Sequence, residues 1–320
     1  MRRQDFLRGL AALAALPLTA HVQAQAAANL KMMIPANPGG GWDTTGRALG
    51  KAMQDAGLAS AVTFENKGGA AGAIGLAQFV NAAKGDPNAL MVMGAVMLGG
   101  IITGKPPVNV TQATPIARLT SEYNVFVLPE NSPFKTMKDV VEAMKKDPAS
   151  VKWGGGSRGS TEHIAAAMIA REVGVDAAKI NYVPFRGGGE ATAAILGGNV
   201  TVGGSGYSEF QQYIEAGKMK AIGVTSDVRL KGIAIPTLKE QGINVVIGNW
   251  RGVYGAPGIT DAQRKALTDL VIAATKSKAW TEALEKNNWT PALMSGKPFE
   301  DFVDAEFASL RATMVKSGMI

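Results

Sequence analysis

Apolar positions in this chain alternate between two rhythms. Short continuous runs at 31–35 (KMMIP), 61–65 (AVTFE), 89–94 (ALMVMG), 151–153, 180–183, 200–203 and 219–225 predict strands. Between them, apolar residues recur three and four apart. The stretch 44–56 places Ala48, Leu49, Ala52, Met53 and Ala56 on one helical face. Further helices are predicted over 70–83, 161–173, 190–196, 208–216 and 299–316. Thr136-x-x-Asp139 opens another with a capping box, its buried stripe being Met137, Val140, Val141 and Met144. Thr260-x-x-Gln263 repeats that start signal, and Gly174 supplies a stop signal at a C′ position. Such regular β/α alternation predicts an α/β fold of mostly parallel sheets flanked by helices.

A chain of 320 residues exceeds what one core usually organises. Two extended segments, 123–129 and 245–255, bracket a self-contained β/α block. The expected division is one lobe from 27–125 plus 250–320 and a second from 126–249. Two crossovers would join the lobes, so that they could hinge over a ligand. Residues 1–26 read as an export signal: Arg2 and Arg3, an apolar run over 10–18, then Ala24-Gln25-Ala26 as a cleavage site. That run is shorter than the ~20 residues a membrane span needs. Either the general or the twin-arginine route fits, and both lead to the periplasm.

Composition removes much of the usual chemistry. There is no cysteine, and His21 and His163 are the only histidines. Thiolate zinc sites, iron–sulfur clusters and multi-histidine centres are thereby excluded, so neither metal nor cofactor is expected. The formal net charge is +7, which becomes +5 once residues 1–26 are removed with Arg2, Arg3, Arg8 and Asp5. A modest positive field favours small anions. Because Lys and Arg are dispersed without aromatic interleaving, a nucleic-acid partner is not expected.

Three strand–glycine–helix turns carry the candidate chemistry. The first reads Asn37-Pro38-Gly39-Gly40-Gly41-Trp42-Asp43-Thr44. Its glycines allow exposed amides, and the following helix start favours negative charge. Asp43 is expected as the N-cap, with Arg47 pairing to it one turn on. The second turn, Gly154-Gly155-Gly156-Ser157-Arg158-Gly159-Ser160-Thr161, adds hydroxyl donors but lacks the lysine of a nucleotide-phosphate loop. The third is Arg186-Gly187-Gly188-Gly189. The candidate ligand-binding residues are therefore Asn37, Gly40, Gly41, Trp42, Asp43, Thr44, Gly156, Ser157, Ser160, Thr161, Arg186 and Gly188. Turns of this kind in different lobes suit a crevice gripping both ends of a small anion. Trp42, Trp153 and Trp250 stand beside them, either as cleft wall or as core. His163 is expected to cap or line rather than titrate.

A rival reading is a serine esterase, since Gly155-Gly156-Ser157-Arg158-Gly159 matches G-x-S-x-G on a strand-to-helix turn. His163 is the only histidine after Ser157, and it falls in the same helix. A base from elsewhere would have to be a lysine. No catalytic residue is assigned.

The chain resembles the tripartite tricarboxylate transporter receptor family, the Bug-type periplasmic solute-binding proteins. The likeness rests on Ile34-Pro35, Pro38-Gly39-Gly40, Asp43 and Arg47, then on Glu65-Asn66-Lys67-Gly68-Gly69-Ala70-Ala71-Gly72. It continues through Val183-Pro184-Phe185-Arg186-Gly187-Gly188-Gly189, Leu196-Gly197-Gly198-Asn199-Val200 and Thr225-Ser226-Asp227-Val228-Arg229. Pro236-Thr237-Leu238, Gln241-Gly242 and Ala256-Pro257-Gly258 complete it. The resemblance implies a two-lobed Venus-flytrap binding protein of type II-like form without enzymatic activity. It implies a monomer that delivers a small carboxylate to inner-membrane transporter subunits. The ligand would be held by backbone groups and waters at the first two turns. Gly41-Trp42 resembles the tricarboxylate-binding branch, which implies a di- or tricarboxylate such as citrate. Lys67 stands where the family pattern has proline.

Overall fold

The structure is a computed structural model that describes residues 28–320. The export signal expected over 1–26 lies outside the described residues. The strands are β1 (Ala28–Ile34), β2 (Ala59–Asn66), β3 (Ala89–Gly94), β4 (Thr114–Pro129), β5 (Lys152–Gly155), β6 (Asn181–Pro184), β7 (Val202–Gly206), β8 (Met219–Val224), β9 (Gly248–Gly255) and β10 (Thr290–Ser295). The helices are α1 (Gly41–Asp55), α2 (Ala73–Ala82), α3 (Ala95–Gly104), α4 (Met137–Lys146), α5 (Thr161–Glu172), α6 (Gly188–Leu196), α7 (Tyr207–Glu215), α8 (Asp261–Thr275), α9 (Lys278–Lys286) and α10 (Gly296–Lys316).

The strands form one continuous sheet in the order β2-β1-β3-β9-β4-β7-β5-β6, with β8 and β10 also pairing β4. Outer strands pair in parallel, β1 with β2 and β3, and β5 with β6 and β7, as β/α alternation dictates. Around β4 and β9 every pairing is antiparallel. These two strands, the segments expected as crossovers, run antiparallel to one another at the middle of the sheet. The partners of β4 change midway: its residues up to Tyr123 pair with β9, whereas those from Asn124 pair with β7 and β8.

The helical faces pack as the periodicity predicts. Leu49, Ala52 and Met53 of α1 are fully buried, and a buried side chain of leucine or methionine size contributes about 1.5–3 kcal/mol. Thr136 and Asp139 cap α4 reciprocally, at 3.2 and 2.9 Å. Thr260 and Gln263 do the same for α8, and Gly174 takes φ 80° after α5. The single helix expected over 70–83 is instead a short 3-10 turn followed by α2. Gly69 and Gly72 take positive φ, as do Ala70 (φ 48°) and Ala71 (φ 55°), so the chain cannot run on as α-helix. Helix α3 is apolar on nearly every side and buried, so no amphipathic stripe announces it.

Candidate ligand-binding site

The three glycine turns converge on one cavity at the crossover strands. Its walls include Gly40, Gly41 and Trp42 from the first turn and Gly156, Ser157 and Glu162 from the second. Arg186, Gly187 and Gly188 come from the third, and Ser205, Glu209, Asn249 and Arg251 from β7, α7 and β9. The first and third turns touch through backbone. A Cβ on Gly40 would lie 2.8 Å from the Gly188 amide nitrogen, so only glycine permits the approach. Asn37 donates to Glu190 across this contact at 2.5 Å.

Each turn satisfies an amide with one of the chain's own carboxylates. Gly39 N–H donates to Asp43 at 3.1 Å, Gly156 N–H to Glu162 at 2.6 Å, and Arg186 N–H to Glu190 at 3.1 Å. Asp43 is thus not the N-cap of α1. Gly40 holds that position, and Asp43 reaches back from the first turn while accepting from Arg47 (2.9 Å) and Asn66 (3.0 Å). Burial pushes the Asp43 carboxyl up, but the bonds from Arg47, Asn66 and Gly39 outweigh it and leave the pKa lowered.

Asn37, Asp43, Thr44, Ser160 and Thr161 do not line the cavity; they hold its turns. Thr44 donates to Gly40 O at 3.2 Å. Ser160 caps α5 by accepting from His163 N–H (3.4 Å) and bonds the Tyr182 hydroxyl (3.2 Å). Thr161 donates to Glu162 at 3.1 Å. Of the tryptophans, Trp42 forms cavity wall, whereas Trp153 packs edge-on against Phe126 and Trp250 against Phe299 and Phe302.

His163 is structural, as expected. Its Nδ1 accepts from Gly159 N–H at 3.0 Å and its ring stacks on Tyr182 at 4.0 Å. Burial, with Arg158 adding repulsion, pushes its pKa down to about 4, so the imidazole is neutral at pH 7. Ser157 does line the cavity, but its hydroxyl faces Phe185 O at 3.5 Å, and no described histidine is free to activate it.

The charged centre of the cavity comes from residues that glycine motifs do not reveal. Arg251 on β9 pairs with Glu122 on β4, its diagonal neighbour across the ladder, and lies 3.5 Å from Glu209 of α7. Only 2 % of Arg251 is exposed, and its Nη1 has no hydrogen-bond partner. Asn249, two residues away, is also buried, with Oδ1 unpartnered. Glu122 also accepts from Ser208 Oγ (2.9 Å), which accepts in turn from Trp289 Nε1 (3.2 Å). Burial, partly offset by Arg251 and reinforced by Glu122, pushes Glu209 up to about 7. Glu162 is likewise raised by burial against the bonds from Gly156, Ser160 and Thr161. The available signal was Arg251 as the one charge inside the apolar segment 245–255 and Glu122 immediately before the apolar run 123–129, where burial demands a partner.

Arg251 also abuts the start of α1, since a Cβ on Gly41 would overlap its guanidinium. The first-turn amides of Gly41 and Trp42 have no acceptor within the helix. A buried cation and a helix start thus share one wall, an arrangement that receives carboxylates.

Residues 46–319 match the model of the tripartite tricarboxylate transporter family receptor. The periplasmic binding protein BugD is similar in structure, with a TM-score of 0.79 and 22% identity, covering 91% of this chain and 97% of BugD. An R. palustris protein solved with adipate gives 0.80 at 20% identity, covering 91% and 97%. MatC from Rhodopseudomonas palustris, solved with bound malate, gives 0.76 at 20% identity, covering 89% and 98%.

Proposed function

Because the chain belongs to the tripartite tricarboxylate transporter receptor family, a family of periplasmic solute-binding receptors, we propose that it captures a small carboxylate between two lobes and delivers it to inner-membrane transporter subunits. The lobes are 27–125 with 250–320, and 126–249. The change of β4 partners between Tyr123 and Asn124 supports this division. Export through the N-terminal signal places the receptor in the periplasm as a monomer. No helix among the described residues is long and apolar enough to cross a membrane.

One observation carries the reading. Arg251 is a buried guanidinium in the cavity wall with Nη1 unpartnered, beside the first amides of α1, which have no acceptor within the helix. A carboxylate there gains charge-assisted hydrogen bonds that water cannot match in a closed site. The lining supplies charged and amide binding groups, in keeping with a solute-binding receptor. Malate and adipate occupy two structural neighbours, and di- or tricarboxylates such as citrate are the starting class here. Thermal unfolding against malate, adipate and citrate together with amino acids tests the reading. At 100 times the dissociation constant a ligand should add about 2.7 kcal/mol of stability. Absence of any shift with every organic anion would overturn it.

A further inference from the structure

The second glycine turn is already occupied. Glu162, in the first turn of α5 and only 5 % exposed, folds back over it. Its Oε1 accepts from Gly156 N–H at 2.6 Å and its Oε2 from the Thr161 hydroxyl at 3.1 Å. Its own N–H and the Ser160 hydroxyl also donate to the carboxyl group. A Cβ on Gly155 would lie 2.6 Å from Glu162 Cγ, and one on Gly156 would lie 2.5 Å from Oε1. Glycine at both positions thus leaves the room that this side chain fills. A carboxylate held by an amide and hydroxyls at a helix start is what the turn was expected to do for a solute. Here the chain supplies the carboxylate itself. A second acid group arriving with the solute would find the Gly156 amide taken and another carboxyl group against it, a costly place for a buried charge.

Arg186 is the other cation of the cavity. Arg251, in the inner wall, is held by Glu122 and Glu209. The Arg186 side chain is exposed at the outer edge and has no ion pair among the described residues. It also borders a second cavity of about 360 Å³, which shares Ala71, Ser157, Phe185 and Arg186 with the first and adds Arg158 and Thr103. The space outside the second turn is therefore open and basic, whereas the turn itself is filled. We propose that Glu162 fills the place at the second turn that a solute's far carboxylate would otherwise take, and that this carboxylate is received instead by Arg186. The inference rests on the carboxylate-receptor reading and deepens it. Glu162 and Arg186 are then specificity residues: a diacid anchored at Arg251 reaches outward to Arg186 rather than across to the Gly156 amide.

Acids matched in chain length separate the possibilities: succinate against butyrate, glutarate against pentanoate, adipate against hexanoate. Titration calorimetry should show the diacid of at least one pair binding about tenfold or more tighter than its monoacid. Arg186→Ala should bring that pair to near parity by weakening the diacid. In the Glu162→Ala, Arg186→Ala double variant the preference should return, because the Gly156 amide is then open to the second carboxylate. A crystal of the unsubstituted protein soaked with the preferred diacid does not depend on a variant folding. It should show Glu162 still on Gly156 N–H and the far carboxylate at Arg186. A preference unchanged by Arg186→Ala, no return of it in the folded double variant, or a soaked diacid that displaces Glu162 from Gly156 would each overturn the inference. Equal or tighter binding of the monoacids in every pair would overturn it while leaving the receptor reading intact. Silence toward every organic acid would remove both.

Discussion

The glycine turns and the crossover strands both face the cavity, but they treat charge in opposite ways. In the turns, amides are already matched: Gly39 to Asp43, Gly156 to Glu162, Arg186 to Glu190. At the crossover, Arg251 is held by Glu122 and Glu209 yet keeps Nη1 unpartnered, and Asn249 Oδ1 is likewise free. Glycine at 40, 41 and 188 therefore serves close approach, of turn to turn and of turn to Arg251, more than exposure of an anion cradle. The turns define where the cavity lies; the crossover defines what it can hold.

The largest effect should come from the crossover. Arg251→Ala leaves Glu122 and Glu209 buried without their cation, so stability in urea should fall by about 3–5 kcal/mol and carboxylate binding should vanish. A loss below about 1 kcal/mol with binding intact would transfer the electrostatic role to the turns. The pH dependence comes next. Glu209 is raised from 4.5 to about 7 on folding, so its contribution is complete below the unfolded value and fades as pH rises through 7. Between pH 4.5 and 8 the protein should lose about 3 kcal/mol relative to Glu209→Gln. Parallel pH profiles for the two proteins would show that Glu209 does not carry this burden.

A middle-sized effect should come from the turns. Gly41→Ala places a methyl against the Arg251 guanidinium, costing about 1–3 kcal/mol and weakening binding while circular dichroism stays unchanged. Wild-type affinity in that variant would mean that Arg251 can retreat without loss. The smallest concerns Ser157→Ala, which removes one weakly placed hydroxyl and should change stability within about 0.5 kcal/mol. Nitrophenyl ester turnover by the parent protein that disappears in this variant would restore the esterase reading.

The legible and illegible parts of the sequence divide along the same line. Local signals were readable: the capping boxes at Thr136 and Thr260, the stop at Gly174, the Asp43–Arg47 pair and the position of all three turns. Each depends on residues within a few positions of one another. Helix α3 was hidden because its uniformly apolar sequence continues the run of β3. The first half of β4 intersperses polar residues among its apolar ones, and β10 is a short, mostly exposed strand, since pairing rather than apolar alternation fixes them. The Glu122–Arg251–Glu209 cluster spans three distant segments, united only because β4 pairs with β9 on one side and with β7, which leads into α7, on the other. Spacing alone cannot express such a contact.

The most direct test is a crystal structure of the protein soaked with the tightest-binding carboxylate from the panel. The account predicts a carboxylate oxygen about 3 Å from Arg251 Nη1 and from the amide of Gly41 or Trp42. A carboxylate seated instead on the Gly156–Ser157 turn, with Arg251 untouched, would contradict it.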